Sequence, residues 1–324
     1  MWKHQYTYLP EGMYSGSQNN EYFSNFSALE RAMAQGKILE APAILCDGDL
    51  SLIVDLGIMQ GVIPRGQAAL SLAGEPIKDI AIISRVGKPV CFQITGFEGD
   101  GKGGMRAILS RRAAQAACLH DYLMCLQAGD IIPARVTHLE HFGAFVDVGC
   151  GLASLFSIDS ISISRISHPR DRFYVGMPVR AVVKSVDASE HRIYVSHKEL
   201  LGTWEENAAK FCVGQTVVGT VRSVEDYGVF IELAPNLAGL AEYRDDVVVG
   251  QAVAVYIKNI ISERMKIKLV IIDTCKSSVS HSAERMEYFI PPEVDHIDYW
   301  RYSPEGNHRI IESVFGPVPL VSNS

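Results

Sequence analysis

From Gly36 to Asp273 the chain runs in short apolar stretches, each broken within a few residues by glycine, proline or aspartate. Ala43-Ile44-Leu45, Leu52-Ile53-Val54, Gly61-Val62-Ile63 and the run from Pro89 to Ile94 open the series. Runs of this length with turn residues at near-regular spacing predict a β-barrel or sandwich. Gly99-Asp100-Gly101-Lys102-Gly103-Gly104 lacks the order of a phosphate loop and lies between strand-like runs, so it is expected to be a hairpin turn. Two stretches change period. Residues 110–127 contain Ala-Ala repeats with neither glycine nor proline, and Lys198 to Phe211 carries Trp204-Glu205-Glu206-Asn207-Ala208-Ala209. Both are expected to be helical joints. Ser27-Ala28-Leu29-Glu30 has capping-box spacing and predicts a short helix to about Gln35, ended by Gly36. Before it lies a Tyr-, Asn-, Ser- and Gly-rich tail or docking arm. After Asp273 comes an acidic, aromatic tail with Pro291-Pro292 and Tyr299-Trp300-Arg301-Tyr302, expected to hold one helix before the prolines and a mobile end.

The β-rich part repeats. Gly129 to Gly143 and Gly214 to Gly228 are both 14 residues; Gly176 to Arg192 and Gly250 to Lys266 are both 16. Between these blocks one unit spends 33 residues and the other 22, so a mid-domain loop is shortened while the ends keep register. A looser copy runs from Gly36 to Gly57. The expected division is an arm and short helix at 1–35, β units at 36–111, 128–197 and 213–273, joints at 112–127 and 198–212, and a tail at 274–324. Each β unit has the size of a five-stranded Greek-key OB barrel. The fold class is therefore mainly β: three tandem OB-fold barrels joined by short helices.

The second unit carries Gly129-Asp130-Ile131-Ile132-Pro133-Ala134-Arg135-Val136, then Phe142-Gly143-Ala144-Phe145-Val146-Asp147-Val148-Gly149. Ile163 to Pro169, Val175-Gly176-Met177-Pro178-Val179 and Val186-Asp187 followed by Arg192-Ile193-Tyr194-Val195-Ser196 complete the series. This unit resembles the S1-type RNA-binding domain family. The third unit is a trimmed copy, the first a degenerate one, and the tandem arrangement is similar to that of the bacterial ribosomal S1 proteins. The resemblance implies a non-enzymatic protein that binds single-stranded RNA, in translation or mRNA handling, with the small ribosomal subunit as a partner.

On that resemblance the binding face of the second unit is Phe142, Phe145, Ser157, Asp187 and Arg192, with Ser157 where the family has histidine. In the third unit the positions are Tyr227, Phe230, Glu242, Ile261 and Lys266; Glu242 would repel phosphate and Ile261 lacks the carboxylate. In the first they are Leu50 and Ile53, which leaves no stacking platform. Aromatic rings stack any base for about 1–3 kcal/mol each, and only unpaired bases can be splayed onto them. Gly143 and Gly228 are expected to permit a strand bulge that turns the rings outward. Read without the resemblance, the two phenylalanines would be core, Arg192 a solvated residue and Asp187 a turn former. His168, Arg170 and Arg172 form a small basic loop, either a phosphate contact or an ordinary solvated loop. His138 and His141 near Cys150 stand on opposite strand faces, so no metal site is expected.

A net charge of -7 over 324 residues argues against a simple electrostatic nucleic-acid binder, so any such recognition must rest on local geometry. It also leaves open a second class, a protein-docking scaffold, which the degenerate first unit and the aromatic tail favour. Seven scattered cysteines with no C-x-x-C pair argue against a disulfide framework or zinc ribbon. With no leader-like start and no long apolar run, a cytoplasmic protein is expected. No nucleophile elbow or paired acid–base motif appears, and neither a cofactor nor a small-molecule substrate is expected.

Overall fold

In the computed structural model, residues 8–14, 21–71, 76–99, 101, 103–274 and 286–316 are described. β1 (Leu39–Cys46), β2 (Leu52–Asp55), β3 (Gln60–Ile63), β4 (Pro89–Gly99) and β5 (Met105–Ser110) close a barrel in the order β1-β2-β3-β5-β4. β6 (Ile131–Glu140), β7 (Gly143–Asp147), β8 (Ala153–Ser157), β9 (Pro178–Asp187) and β10 (Arg192–Ser196) form a sheet in the order β10-β9-β6-β7-β8. Its two edges meet where Ser154 Oγ donates to the Ile193 carbonyl at 2.7 Å. β11 (Thr216–Glu225), β12 (Gly228–Ala234), β13 (Leu237–Ala241), β14 (Ala252–Ile261) and β15 (Lys266–Thr274) close the third barrel with the topology of the first. The three barrels are tandem OB folds. β4 and β5 pair antiparallel on either side of residues 100–104, as a hairpin requires; Asp100 and Lys102 themselves lie outside the described residues.

The joints deserve separate causes. Helix α1 (Phe26–Ala34) starts two residues earlier than its expected cap: Asn25, extended at φ -163°, accepts from the Ala28 N–H at 2.9 Å. Ser27 is already inside the first turn, so the free N–H group that a cap satisfies is met by Asn25 instead. α2 (Asp79–Ile83) lies between β3 and β4. α3 (Arg111–Asp121) is capped by the Ser110 hydroxyl, and α4 (Ile158–Ile161) follows β8. The second joint is divided. Lys198–Leu201 make a 3-10 turn, Gly202 takes φ +81°, and α5 (Trp204–Ala208) begins in a capping box of Thr203 and Glu206. A Cβ on Gly202 would lie 2.6 Å from the Phe289 ring, so the break also admits the tail. No helix among the described residues is long and apolar enough to cross a membrane.

Residues 8–14 and 286–316 are both packed against the barrels. Residues 8–14 strap the first barrel to the second. The buried Glu11 accepts from Arg111 Nε at 2.6 Å and Nη2 at 3.0 Å, its N–H donates to Asp147 at 2.7 Å, and Arg135 Nη1 donates to its carbonyl at 2.7 Å. At the other end, residues 286–316 contain no helix; β16 (Tyr299–Arg301) pairs with β17 (Glu312–Val314). Trp300 and Tyr302 are buried in the third core. Tyr288, Ile290, Val294, Ile297 and Phe315 cover Ile131, Val182 and Leu200 on the second barrel. Aromatic area buried in this way outweighs the cost of ordering the segment. The helix expected before the prolines falls mainly on residues 275–285, outside the described residues, as does the chain end at 317–324.

The second and third barrels share a buried ion network. Arg172 Nη2 donates to Glu232 at 2.5 Å, and Arg222 reaches the same carboxylate at 2.8 Å and Asp171 at 3.3 Å. Asn236, wholly buried, accepts from Ile163 N–H at 2.8 Å and donates to the carbonyls of Lys198 and Gly202. His197 is sealed among Phe156, Phe173 and Tyr288. Its Nδ1–H donates to the Ile161 carbonyl at 3.1 Å, so Nε2 accepts from the Tyr288 hydroxyl at 3.3 Å. Burial pushes this imidazole down to about 4.

Two outcomes follow from these contacts. Arg172→Met leaves Glu232 with half its partners, and urea unfolding should show a loss of about 3–5 kcal/mol; a loss within experimental error would refute the buried pairing. In an NMR pH titration His197 should stay neutral from its usual 6.5 down to about 4. Acid protonates the unfolded chain first, so this group's stability contribution is whole above pH 6.5 and declines toward 4. A midpoint near 6.5 would contradict the sealed position.

Candidate nucleic-acid interface

Successive residues of a strand face opposite sides, and the ladders assign the outward ones. On the second barrel His138 stands opposite Phe145, and Phe145 opposite Leu155. The same row on the third barrel runs Ser223, Phe230, Leu240, Lys268 across β11, β12, β13 and β15. Lys268 corresponds to Tyr194 on β10, an exposed ring on the face of Arg192. The first barrel's row is Leu45, Ile53, Val62, Ile108. The three rows therefore differ in chemistry on one scaffold. The second bears rings, the third one ring and a lysine, the first only aliphatic groups.

Next to the row stand the leading rings. Phe142, 55% exposed, meets Phe145 edge-on with centroids 6.0 Å apart and planes at 88°. Tyr227, 69% exposed, meets Phe230 in nearly the same way at 6.1 Å and 87°. Leu50 occupies a left-handed turn position at φ +60°. The expected core reading of the phenylalanines does not hold, because the barrel interior is filled by Ala144 and Val146 from the alternate positions.

The glycines act otherwise than expected. Each barrel does have a register shift, but on the first strand: between Ala43 and Leu45, between Val136 and His138, and between Val221 and Ser223. Gly143 and Gly228 instead admit the third strand of their barrels. A Cβ on Gly143 would sit 2.1 Å from the Phe156 carbonyl oxygen, and one on Gly228 (φ +151°) 2.4 Å from that of Ala241. The bulge turns the row, and the glycine lets the strand beneath the rings pack closely.

Ser157 lies directly opposite Gly143, half-buried, with its hydroxyl on Asp159, whose carboxyl that bond holds below the usual range. Asp187 and Arg192 face each other across the β9–β10 hairpin, as Ile261 and Lys266 do across β14–β15. Asp187 Oδ1 accepts from Ser189 Oγ at 2.6 Å and from the N–H groups of Ser189 and Glu190, which hold the carboxyl low and close the turn. Glu242 is exposed just past β13. Of the basic loop, His168 accepts from Arg170 N–H at 3.1 Å and meets the His141 ring edge-on at 4.7 Å, while Arg170 is exposed. Arg172 is no phosphate ligand: its guanidinium is buried against Glu232 between barrels. His138 pairs with Glu140 at 2.7 Å, away from His141.

Tyr194 is the residue that motif matching passed over. Its signal was present in the alternation Arg192-Ile193-Tyr194-Val195, which places the tyrosine on the arginine's face.

Residues 126–198, the whole second barrel, match the S1 RNA binding domain family. That barrel is thus an S1-type domain, a match that spans residues 126–198 and not the rest of the chain. Beyond that barrel the chain is similar to the small ribosomal subunit protein bS1 homolog of Bacillus subtilis (strain 168), 29% identical over 259 residues that make up 78% of this chain and 63% of the relative. Small ribosomal subunit protein bS1 of Staphylococcus aureus (strain COL) is 28% identical over 67% of this chain and 54% of its own length. That of Rhizobium meliloti (strain 1021) is 29% identical over 58% and 32%. The chain spans less than two thirds of the length of these curated relatives.

Gly143→Ala tests the close approach beneath the rings. It should destabilise the protein by about 1–3 kcal/mol through overpacking, read from denaturant midpoints, and a neutral result would dismiss the steric account.

Proposed function

We propose that this chain is a non-catalytic protein that binds single-stranded RNA, with mRNA as its natural ligand and translation on the small ribosomal subunit as its setting. The observation that carries the reading is the exposed right-angled pair Phe142–Phe145, placed in the barrel that matches the RNA-binding family. A base laid on Phe142 meets a flat apolar face, and Tyr194 and Arg192 extend the same surface toward the next base and its phosphate. Ser157 borders Phe142, and Arg170 and His168 lie toward the turn beside His141. The third barrel supplies a second, weaker contact through Tyr227, Phe230 and Lys266, with Glu242 opposing phosphate at its edge. The first barrel supplies none, because its row is aliphatic. The ribosomal setting is supported by the relatives, which are named small ribosomal subunit proteins.

With a net charge of -7 the binding is expected to be modest and carried by stacking. Fluorescence titration with an unstructured, uridine-rich RNA should give measurable binding at low salt that weakens with few phosphate contacts. Phe142→Ala with Phe145→Ala should reduce affinity by roughly 10- to 100-fold, the loss of one or two stacked bases. Tyr194→Ala and Tyr227→Ala with Phe230→Ala should cost less. Equal binding by the Phe142/Phe145 double variant, or none by the wild type at low salt, would overturn the reading.

A further inference from the structure

We infer that the outer face of β11, β14 and β15 is a docking surface for an apolar and acidic peptide segment of a partner protein. One face of the barrel occurs in three copies. In every barrel the outward residues of the first, fourth and fifth strands form a rung: Ile131, Val182 and Ser196 in the second, Thr216, Tyr256 and Val270 in the third. The neighbouring rung pairs Pro133 with Arg180 in the second barrel, Glu40 with Cys91 in the first and Val218 with Ala254 in the third.

In the first two barrels this face is covered by chain from outside the barrel. Ile38 and Cys91 of the first pack into the core cluster of the second, under Tyr8, and Glu11 accepts from the Cys91 N–H at 3.1 Å. Ile131 and Val182 of the second lie under Tyr288, Ile290, Val294 and Ile297. That cover is irregular, turning between Pro291 and Val294, and is bound through its backbone: Ile131 N–H donates to the Asp295 carbonyl at 2.6 Å, and Arg180 reaches the carbonyls of Ile290 and Val294. Both covers carry apolar side chains and carboxylates within a few residues of each other, Tyr8 and Glu11 in one, Tyr288, Glu293 and Asp295 in the other.

The third copy of the face stands open among the described residues and is more apolar on its outside than the other two. Val218 is 57%, Tyr256 37%, Val270 39% and Ile272 57% exposed. Together with Ala254 they make one band across three paired strands, large enough in kind to mark an interaction site. Lys258 lies exposed at one end of the band, two residues along β14 from Tyr256, and fits a carboxylate-bearing ligand. Val218, Val270 and Ile272 offer neither a ring nor a hydrogen bond to a base and Tyr256 is the single ring among them, so the face matches an apolar protein segment better than a base-stacking platform. The inference does not depend on the RNA reading above.

The test selects short random peptides, displayed on phage, against the full chain, and then titrates the enriched peptide by fluorescence anisotropy. Enriched sequences should combine an aromatic or aliphatic residue with Asp or Glu. Their affinity should fall about tenfold or more in Ile272→Glu and in the milder Val218→Ser with Ile272→Ser, as for loss of an anchoring contact, while binding of the uridine-rich RNA stays unchanged. Circular dichroism verifies that the variants are folded. Peptides that bind all variants alike, RNA affinity that falls in parallel, or a wild-type dimer that Ile272→Glu dissociates would each overturn the proposal, the last in favour of a second copy of this chain.

Discussion

A five-stranded barrel encloses too little space for more than a few layers of side chains, so alternation along every strand divides its residues strictly between a small inside and a large outside. In this protein the inside is an apolar filling in all three barrels, aliphatic but for rings such as Phe92 in the first and Phe156 in the second. Everything that distinguishes one barrel from another is written on outward positions. One outward row holds the rings of the proposed RNA contact, and a separate outward face, around the barrel from it, either receives other parts of the chain or remains open. The register of the strands is therefore the constraint on which both sites depend. A one-residue slip would carry Phe145 indoors and Val146 out.

Electrostatics has a different duty here. The strongest charge pairs, Glu11 with Arg111 and Glu232 with Arg172 and Arg222, lie at the boundaries between barrels and hold them together, out of reach of solvent. The charge left on the outside is acidic on balance. A chain that binds RNA in this way relies on flat faces, which suits sequence-tolerant contact with unpaired strands, and spends its arginines on architecture. Arg172 shows the division plainly, since a residue that reads as a phosphate ligand serves as an internal fastener.

Much of this was legible in the residues alone. Equal spacings such as Gly129 to Gly143 and Gly214 to Gly228 reveal repetition because strand ends tolerate no insertion, and they relate the second and third barrels, while the first showed itself through its short apolar runs and a looser copy of the spacing. Phe142, Phe145, Tyr227 and Phe230 were legible because a Phe-Gly-Ala-Phe step fits a known family. What escaped was non-local. Asn25 and Ser27 are equally good caps by type, and only the path of the chain chooses between them. The burial of Arg172 depends on Glu232, sixty positions on, with no periodic relation to it. The packing of residues 8–14 and 286–316 was not legible because their apolar residues follow neither a helical nor a strand period; they pack as irregular covers, whose pattern is dictated by the surface beneath them. Gly143 drew attention for the right reason, tight backbone geometry, but the bulge it suggested belongs to the neighbouring strand.

The strap at residues 8–14 has a consequence for how the molecule comes into being. Its partners Asp147 and Cys150 are separated from it by well over a hundred residues of chain. During synthesis the first barrel can close early, yet its Ile38 and Cys91 face must wait, uncovered, until the second barrel emerges; the second then waits in turn for Tyr288 to Ile297. Contacts of such long range form late and leave apolar surface open in the meantime. Each newborn barrel thus passes through an interval in which it is folded but unfinished, and the order of translation becomes part of the assembly of the protein.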